Sequence, residues 1–398
     1  EGWFRAPQTC SYYTNGRNGL GAYPRNAQKL VEDTLDLANA TVDFSQYDVN
    51  GDGWIDGLFL IHAGLGGEET GDGNDIWSHK WGINTKVVDG IRISTYAMQP
   101  ELNSGSATGM ATIGVYAHEF GHVLGLPDLY DTDYSSEGVG NWSLMAGGSW
   151  GGARGDGATP THMDAWCKEQ LGWVNPTVLT KDTAGVSVPQ VETNSTVYKL
   201  WTRGTGTNEY FLVENRQKTG FDLYAPGAGL VIYHVDNNQS TNKDENHYLV
   251  AVEQADGDLD LEIGNNRGDA GDPWPGSSNR RTFGDTSTPN SRSYANQPTS
   301  VKVSNIGDSG STMTADMEVV GSKCDLLIKK GSEADTAYAI DNDYQSAPSG
   351  DQIEADSANA GQTTTFNVKV ENDDAASTTL MVKATETTAS GWTVTYKV

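Results

Sequence analysis

The sequence has little cysteine, little positive charge and no long apolar run. Its three cysteines, Cys10, Cys167 and Cys324, have a spacing that fits no zinc knuckle. Lys and Arg number 26 against 53 Asp and Glu, which gives a net charge of -27. Such a surface repels nucleic acid and anionic membranes, so we expect neither as a partner. No apolar stretch reaches the about 18 residues of a membrane-spanning helix.

What the sequence does contain indicates a globular, processed protein. Hydrophobic residues make up 36% of the chain, with 11 Trp and 17 Tyr, and 398 residues allow two or three domains. The chain opens at "EGWFRAPQTC", without an initiator Met or a signal peptide. We therefore expect a mature, secreted, extracellular protein, and a monomer.

The first segment, residues 1–175, mixes helix and strand signals. Residues 26–40 carry Leu30, Val31, Leu35 and Leu37 at helical spacing, on one predicted inner face. Residues 53–64 predict a short buried strand and residues 90–102 a strand with one exposed edge. Residues 108–126 predict a helix whose inner stripe consists of Ile113, Ala117, Phe120 and Leu124.

The rest of the chain reads as strands separated by turns. In residues 176–320 the stretches "STVYKLWTRG", "EYFLVENRQ", "AGLVIYHVD", "HYLVAVEQAD" and "TSVKVSNIG" alternate between apolar and polar residues, which predicts a β-sandwich domain. In residues 321–398 the stretches "CDLLIKKG", "QTTTFNVKVEN", "STTLMVKATET" and "WTVTYKV" predict a small immunoglobulin-like domain. The predicted fold class is therefore α+β, with a mixed sheet and an active-site helix, followed by all-β sandwich domains.

The stretch "AHEFGHVLGLPDLYD", residues 117–131, indicates a catalytic metal site. On a helix His118 and His122 project from one face and reach one zinc ion at roughly 2.0–2.1 Å. Glu119 is turned about 100° around the helix axis, where it touches a zinc-bound water without binding the metal. Zinc lowers the pKa of that water towards ~7, and Glu119 takes its proton as the water attacks a carbonyl.

The third ligand is predicted from the residues that follow. Gly125 adopts the left-handed conformation that ends a helix, and Pro127 prevents its continuation, so the chain turns back and brings Asp128 to the metal. Three protein ligands leave a fourth position open for water. Three other acidic residues remain as alternative third ligands: Glu137, Glu169 and Asp131.

The motif His118-Glu119-x-x-His122-x-x-Gly125-x-x-Asp128, followed by "NWSLMAGGSW", resembles the metzincin clan of zinc peptidases. The phrases "YDVNGDGWIDGLFLIHAG", "DIWSHKW", "WSLMAGGSW" and "YFLVENRQ" are similar to the immune inhibitor A family of secreted bacterial metalloendopeptidases. The resemblance extends over residues 1 to about 320, and the last segment is not covered to the same degree.

This resemblance implies several residue roles. Met145 would form the methionine turn beneath the zinc ion, and a strand around Ile91–Gln99 would bind an extended substrate along its edge. The tyrosine that often follows the methionine is replaced by Gly147, so Tyr130 and Tyr134 are the candidates for stabilising the oxyanion. The resemblance also implies a removed propeptide.

Several other residues are secondary candidates for the active site or for metal binding. His79 either lines the active-site cleft or packs between tryptophans. We also predict a Cys10–Cys167 disulfide, because these cysteines flank the motif.

The loop "DVNGDGWID", residues 48–56, has the ligand spacing of a structural calcium loop, although Phe59 occupies the twelfth position, where a glutamate is usual. Its predicted ligands are Asp48, Asn50, Asp52, Trp54 and Asp56.

Two further acidic loops are weaker calcium candidates. One contains Glu68, Glu69, Asp72 and Asp75, and the other contains Asp256, Asp258, Asp260, Asp269 and Asp272.

The sequence thus predicts a secreted zinc endopeptidase that acts on protein or peptide substrates, with catalytic zinc and structural calcium. The alternative is a calcium-stabilised extracellular adhesin or carbohydrate-binding protein, supported by the β-rich second half of the chain.

Overall fold

The computed structural model of the protein describes residues 2–106, 108–320, 324–334 and 355–372, together with residues 393 and 395. The chain divides into two compact units, Glu1–Val320 and Gly321–Val398. Helix and strand are mixed, with more sheet than helix, which confirms the α+β class in its coarse form.

The helices are α1 (Cys10–Thr14), α2 (Ala27–Ala38), α3 (Gly67–Thr70), α4 (Ile113–Val123) and α5 (Ala165–Gln170). Short 3-10 turns occupy Phe44–Tyr47, Gly140–Trp142, Gly147–Trp150, Thr202–Gly204 and Gly220–Tyr224. The strands of the first unit are β1 (Phe59–Leu65), β2 (His79–Val88), β3 (Ile91–Leu102), β4 (Thr177–Val178), β5 (Thr183–Pro189), β6 (Tyr198–Leu200), β7 (Glu209–Arg216), β8 (Gly229–Asp236), β9 (Val250–Val252), β10 (Lys302–Ser304) and β11 (Thr312–Glu318). The second unit has β12 (Cys324–Lys330) and β13 (Phe366–Asn372).

Helix α2 covers one three-stranded sheet. It begins after Asn26, whose side chain accepts a hydrogen bond from the Lys29 amide. Leu30, Val31 and Leu35 are buried in a core shared with β2 and β3, as predicted, but Leu37 is exposed and its assignment to the inner face was wrong. At about 100° per residue, Leu37 lies beside Leu30 at the edge of the buried face and about 160° from Leu35, in the last turn of the helix.

The three-stranded sheet has the order β1-β3-β2, with β1 parallel and β2 antiparallel to β3. Ala97 and Met98 of β3 pair with strands on both sides, so the edge strand predicted at Ile91–Gln99 was wrong. The prediction failed because alternation reports which face is covered and not which strands lie alongside. Strand β1 was predicted to be buried, but its Phe59 and Ile61 side chains are exposed.

A five-stranded sheet, β4-β6-β7-β8-β9, occupies the middle of the first unit. Every residue of β8 is buried. Leu230 and Ile232 contribute to one core and Val231, Tyr233 and Val235 to another, because successive side chains point to opposite faces. An apolar run without alternation therefore marks a strand covered on both sides.

The two faces of this sheet have different partners. One face shares its core with β5, β10 and β11 of a second three-stranded sheet, as expected for sheets packed face to face. The other face shares its core with residues 126–174. The five strand stretches predicted between residues 195 and 307 are confirmed as β6 to β10, whereas the domain boundary near residue 175 and the sandwich assignment stay predictions.

In the second unit β12 and β13 pair antiparallel, with Cys324 opposite Asn372. These two strands confirm two of the four stretches predicted there. The stretch at 377–387 and nearly all of 392–398 lie outside the described residues, and the immunoglobulin-like assignment stays a prediction. Among the residues that the structure describes, none belongs to a helix long and apolar enough to cross a membrane.

The predicted Cys10–Cys167 disulfide was wrong, because both thiols are free. Cys10 is exposed on α1, where its sulfur contacts the Asn74 carbonyl oxygen at 3.7 Å. Cys167 is buried on α5 in the core beneath the five-stranded sheet. The two residues therefore belong to different parts of the unit, although both flank the histidine motif in sequence.

Candidate metal centre

Helix α4 confirms the predicted helix over a shorter range, Ile113–Val123, but buries a different face. Ile113 and Leu124 are exposed, so the predicted inner stripe was wrong at these two positions, whereas its Ala117 packs against the core. The buried residues are Gly114, His118, Glu119 and Gly121. Phe120, from the predicted stripe, is half-buried and stacks on Phe59 of β1 at 5.2 Å between ring centroids. The face of the helix that carries His118 and Glu119 is therefore buried, although these residues are polar.

The end of α4 turns the chain back, as predicted. Gly125 has φ +102°, a conformation that favours glycine. Its amide donates to the His122 carbonyl at 3.1 Å, and the Leu126 amide donates to the Gly121 carbonyl at 3.0 Å. These two bonds form a Schellman motif, which closes the helix and redirects the chain. Asp128 lies three residues beyond the glycine.

Three side chains converge after this turn. Asp128 Oδ1 lies 3.2 Å from His118 Nε2 and 3.1 Å from His122 Nε2. Ligands around a tetrahedral ion at about 2.0–2.1 Å are separated by roughly 3.3 Å. The arrangement therefore fits a small tetrahedral cation held by two imidazoles and one carboxylate.

The hydrogen bonds of the imidazoles define which nitrogens face this point. His118 Nδ1 lies 2.9 Å from the Leu144 carbonyl oxygen, and His122 Nδ1 lies 2.8 Å from the Leu126 carbonyl oxygen. A carbonyl only accepts, so each Nδ1 carries the proton and each Nε2 presents a lone pair. Both rings are thus held in the tautomer that a metal ligand needs.

The electrostatics of the three groups favour a charged cluster. Burial by itself would raise the pKa of Asp128, but the neighbouring imidazoles of His118 and His122 bring this pKa well below its usual value. Burial opposes protonation of His122, yet the carboxylate of Asp128 raises the pKa of this imidazole. A cation bound between them would replace the proton that the carboxylate attracts.

Glu119 lies beside the cluster without joining it. Its side chain is buried, and burial raises the pKa of its carboxyl group, while the neighbouring imidazoles of His118 and His122 oppose that rise. A carboxyl group with a raised pKa next to a cation site is suited to accept and return a proton.

Met145 is fully buried and packs against Gly121 of α4. A Cβ placed on Gly121 would lie only 2.4 Å from Met145 Sδ, so the thioether would have to move to admit any larger residue. Sequence reasoning predicted Met145 from the family resemblance but missed Gly121. The available signal was a glycine in the middle of a helix, where it costs stability unless close packing demands it.

The alternative third ligands are engaged elsewhere. Asp131 accepts hydrogen bonds from Ser135 and Ser136, Glu137 pairs with Arg267, and Glu169 pairs with Lys199. Among the acidic candidates within the described residues, Asp128 is the one grouped with His118 and His122.

The aromatic candidates differ in their contacts and exposure. Tyr130 stacks against His118, with ring centroids 6.2 Å apart, whereas Tyr134 is 79% exposed. His79 is held by the Trp77 carbonyl and by the Tyr96 hydroxyl, at 2.6 and 2.9 Å, and packs against Tyr96 as a core residue would.

In the predicted calcium loop, carboxylate oxygens accept hydrogen bonds from amides of the loop's own backbone. Asp48 accepts from the amides of Gly51, Asp52 and Gly53. Asp56 accepts from Val49. Within the described chain, Asp48, Asp52 and Asp56 are not among the carboxylates whose ligand atoms lie within 4.8 Å of one another.

Two acidic groups do meet that spacing. Asp131, Asp133 and Glu245 form one, and Asp256, Asp269 and Asp272 form the other. Sequence reasoning missed Glu245 in this role, since it lies more than a hundred residues from its partners and carries no local signal. In the other acidic loop, Glu68 binds Ser78 and Glu69 binds Ser104.

Two imidazoles and a carboxylate that converge beside a buried glutamate are an arrangement typical of metallopeptidases. The comparisons with known proteins point to the same class. A sequence model of the "Immune inhibitor A peptidase M6, catalytic domain" matches residues 1–174. Immune inhibitor A of Bacillus thuringiensis subsp. alesti is 36% identical over 203 residues, covering 42% of this chain and 28% of that protein. The pre-pro-metalloprotease PrtV of Vibrio cholerae serotype O1 is 35% identical over 215 residues, covering 44% and 22%.

Residues 1–174 are therefore similar to the metallopeptidase domain of the immune inhibitor A type. The chain spans less than a third of the length of the curated relatives it matches.

Proposed function

We propose that the protein is a zinc endopeptidase whose metal is held by His118, His122 and Asp128. The observation that carries this proposal is the convergence of two Nε2 atoms on Asp128 Oδ1 at 3.2 and 3.1 Å, with both Nδ1 protons donated to backbone carbonyls. Zinc suits this mixture of imidazole and carboxylate ligands in tetrahedral geometry.

A zinc ion at this position supplies Lewis acidity, which polarises a peptide carbonyl and lowers the pKa of water. A protein residue transfers the proton of the attacking water. Glu119 accepts the proton of the attacking water and delivers it to the departing amine nitrogen, so the peptide bond breaks into a carboxylate and an amine without a covalent enzyme intermediate. Its raised pKa suits both halves of this transfer.

We propose Tyr130 as the residue that stabilises the oxyanion. Its ring lies against His118, and the charge of Asp128 adds to burial in raising the pKa of its phenol, which keeps the hydroxyl protonated as a donor. An extended substrate would pair with an edge strand. In the three-stranded sheet β1-β3-β2 the edge strands are β1 and β2, so these two are the candidates for binding substrate.

We also propose protein substrates, secretion and structural calcium. The name pre-pro-metalloprotease given to the Vibrio cholerae relative supports an extracellular, processed enzyme. The ligand rhythm of residues 48–56 and the grouping of Asp131, Asp133 and Glu245 support calcium, which prefers several carboxylate oxygens.

The test is peptide cleavage by the zinc-loaded protein and by Glu119→Gln and His122→Ala variants. Glu119→Gln should retain one zinc per chain and lose about 10²–10⁴-fold in kcat, the usual contribution of a general base. His122→Ala should lose zinc and activity together. The same assay compares Tyr130→Phe with Tyr134→Phe, and only the first should lower kcat. Full activity of zinc-loaded Glu119→Gln would refute the mechanism.

A further inference from the structure

The segment matched by the family model ends at residue 174, but buried side chains beyond it bind backbone groups next to the candidate metal centre. Arg216, at the end of β7, has a fully buried side chain. Its Nε lies 2.7 Å from Asp222 Oδ2, and one terminal nitrogen lies 3.1 Å from Glu214 Oε1. Two carboxylates thus compensate the buried charge and hold the guanidinium in a fixed orientation.

The remaining donors of Arg216 bind the backbone near the site. One nitrogen donates to the Trp142 carbonyl at 3.0 Å and another to the His162 carbonyl at 3.4 Å. The His162 carbonyl also accepts from the Leu144 amide at 3.2 Å. The carbonyl of Leu144 in turn accepts the Nδ1 proton of His118 at 2.9 Å. A short chain of hydrogen bonds therefore connects the guanidinium to a candidate ligand.

A second buried side chain binds the backbone next to another candidate ligand, Asp128. Asn242 is 1% exposed and donates from Nδ2 to the Leu129 carbonyl at 2.9 Å and to the Val250 carbonyl at 2.8 Å. Leu129 follows Asp128 directly, and its amide donates to the Met145 carbonyl at 2.8 Å. The amide group of Asn242 therefore ties the backbone beside Asp128 to the strand that contains Val250.

We propose that Arg216 and Asn242 are positioning residues of the metal centre, so that the five-stranded sheet beyond the family-matched segment completes the site. This inference rests on the proposed zinc site. Partners that fix a ligating imidazole or its backbone set the geometry that the ion meets, and losing one typically costs about 10–100-fold in metal affinity.

A purely structural role would also explain why these polar groups are buried, so the experiment needs a matched control. Asn215 provides it. This asparagine is fully buried on β7 and likewise donates from Nδ2 to two backbone carbonyls, those of Val188 and Gly310, each at 2.9 Å. Neither carbonyl adjoins a candidate ligand. Asn215→Ala and Asn242→Ala therefore remove equivalent buried hydrogen bonds at different distances from the metal.

The test uses the full chain and zinc alone. The zinc dissociation constant is measured by competition with a chromophoric chelator, and the visible spectrum of the cobalt-substituted protein reports ligand geometry. Urea unfolding of the metal-free proteins measures the cost to stability. Asn242→Ala and Arg216→Lys should weaken zinc binding by about 10-fold or more and alter the cobalt spectrum, whereas Asn215→Ala should stay within about two-fold of wild type.

The outcomes separate this inference from the proposed function. Wild-type zinc affinity and an unchanged cobalt spectrum in both Asn242→Ala and Arg216→Lys would overturn the positioning role. An equal loss in Asn215→Ala and Asn242→Ala would overturn it too, since the loss would then follow stability alone. If Arg216→Lys does not fold, the asparagine pair decides. A His122→Ala variant tests the proposed zinc site separately. If this variant binds zinc as tightly as wild type, the proposed zinc site is wrong.

Discussion

Gly121 offers the sharpest prediction about the packing beneath the metal centre. In Gly121→Ala the new Cβ would lie 2.4 Å from Met145 Sδ and 3.1 Å from its Cε. The first distance is more than about 1 Å shorter than an ordinary contact of about 3.5–4.0 Å. Met145 is fully buried, so its Sδ and Cε would have to move against the surrounding core. Overpacking of this kind costs about 1–3 kcal/mol, while alanine favours a helix over glycine by about 1 kcal/mol. We therefore expect a net loss of up to about 2 kcal/mol.

Urea unfolding of a double-mutant cycle measures this packing directly. In the Met145→Ala background the clash is removed, so Gly121→Ala should become neutral or stabilise the protein by up to about 1 kcal/mol through helix propensity. The zinc affinity of the single Gly121→Ala variant should fall as well, since the helix turn joining His118 to His122 must shift. If Gly121→Ala stabilises the wild-type background, or if the two substitutions are additive, the proposed packing of Met145 on Gly121 is incorrect.

Removal of zinc with a chelator should lower the unfolding temperature, because a ligand at about 100 times its dissociation constant adds about 2.7 kcal/mol to stability; an unchanged calorimetric transition would contradict the site. Calcium added to the zinc-loaded protein after extraction of other metals should raise that temperature, and no shift would argue against structural calcium. Burial raises the pKa of Glu262 to about 7. An unfolded glutamate titrates near 4.3, so the folded state binds the extra proton and stability falls as pH rises from about 4.3 through about 7. Glu262→Gln should therefore gain in thermal stability relative to wild type across that range, and a pH-independent difference between the two would contradict this.

The candidate site could be predicted because its main signals are local. The i and i+4 spacing of His118 and His122 fixes a shared helix face, and Gly125 fixes the turn that returns Asp128 to that face. The three candidate ligands His118, His122 and Asp128 lie within eleven residues, so no tertiary information was needed to group them. Met145 needed the family resemblance, since nothing in the spacing alone places it under the helix.

The errors arose where burial depends on distant neighbours. The apolar stripe of α4 was assigned to the core, yet the buried side carries His118 and Glu119 because a functional site overrides the usual pattern. The pattern of β3 could not reveal that both of its edges are paired. The contacts of Arg216 and Asn242 join segments far apart in sequence, and a single chain carries no local signal for them.

Strand β8 has a consequence for how proteins of this kind can change. Its side chains contribute to two cores at once, one of which also contacts Ala117 of α4. A substitution at Val231 or Tyr233 that is selected for its effect on the sheet would therefore also affect the packing of the helix that carries the candidate metal centre. The same coupling implies that the peptidase segment cannot be exchanged as a self-contained module in evolution or in engineering unless the strands that form its floor are transferred with it.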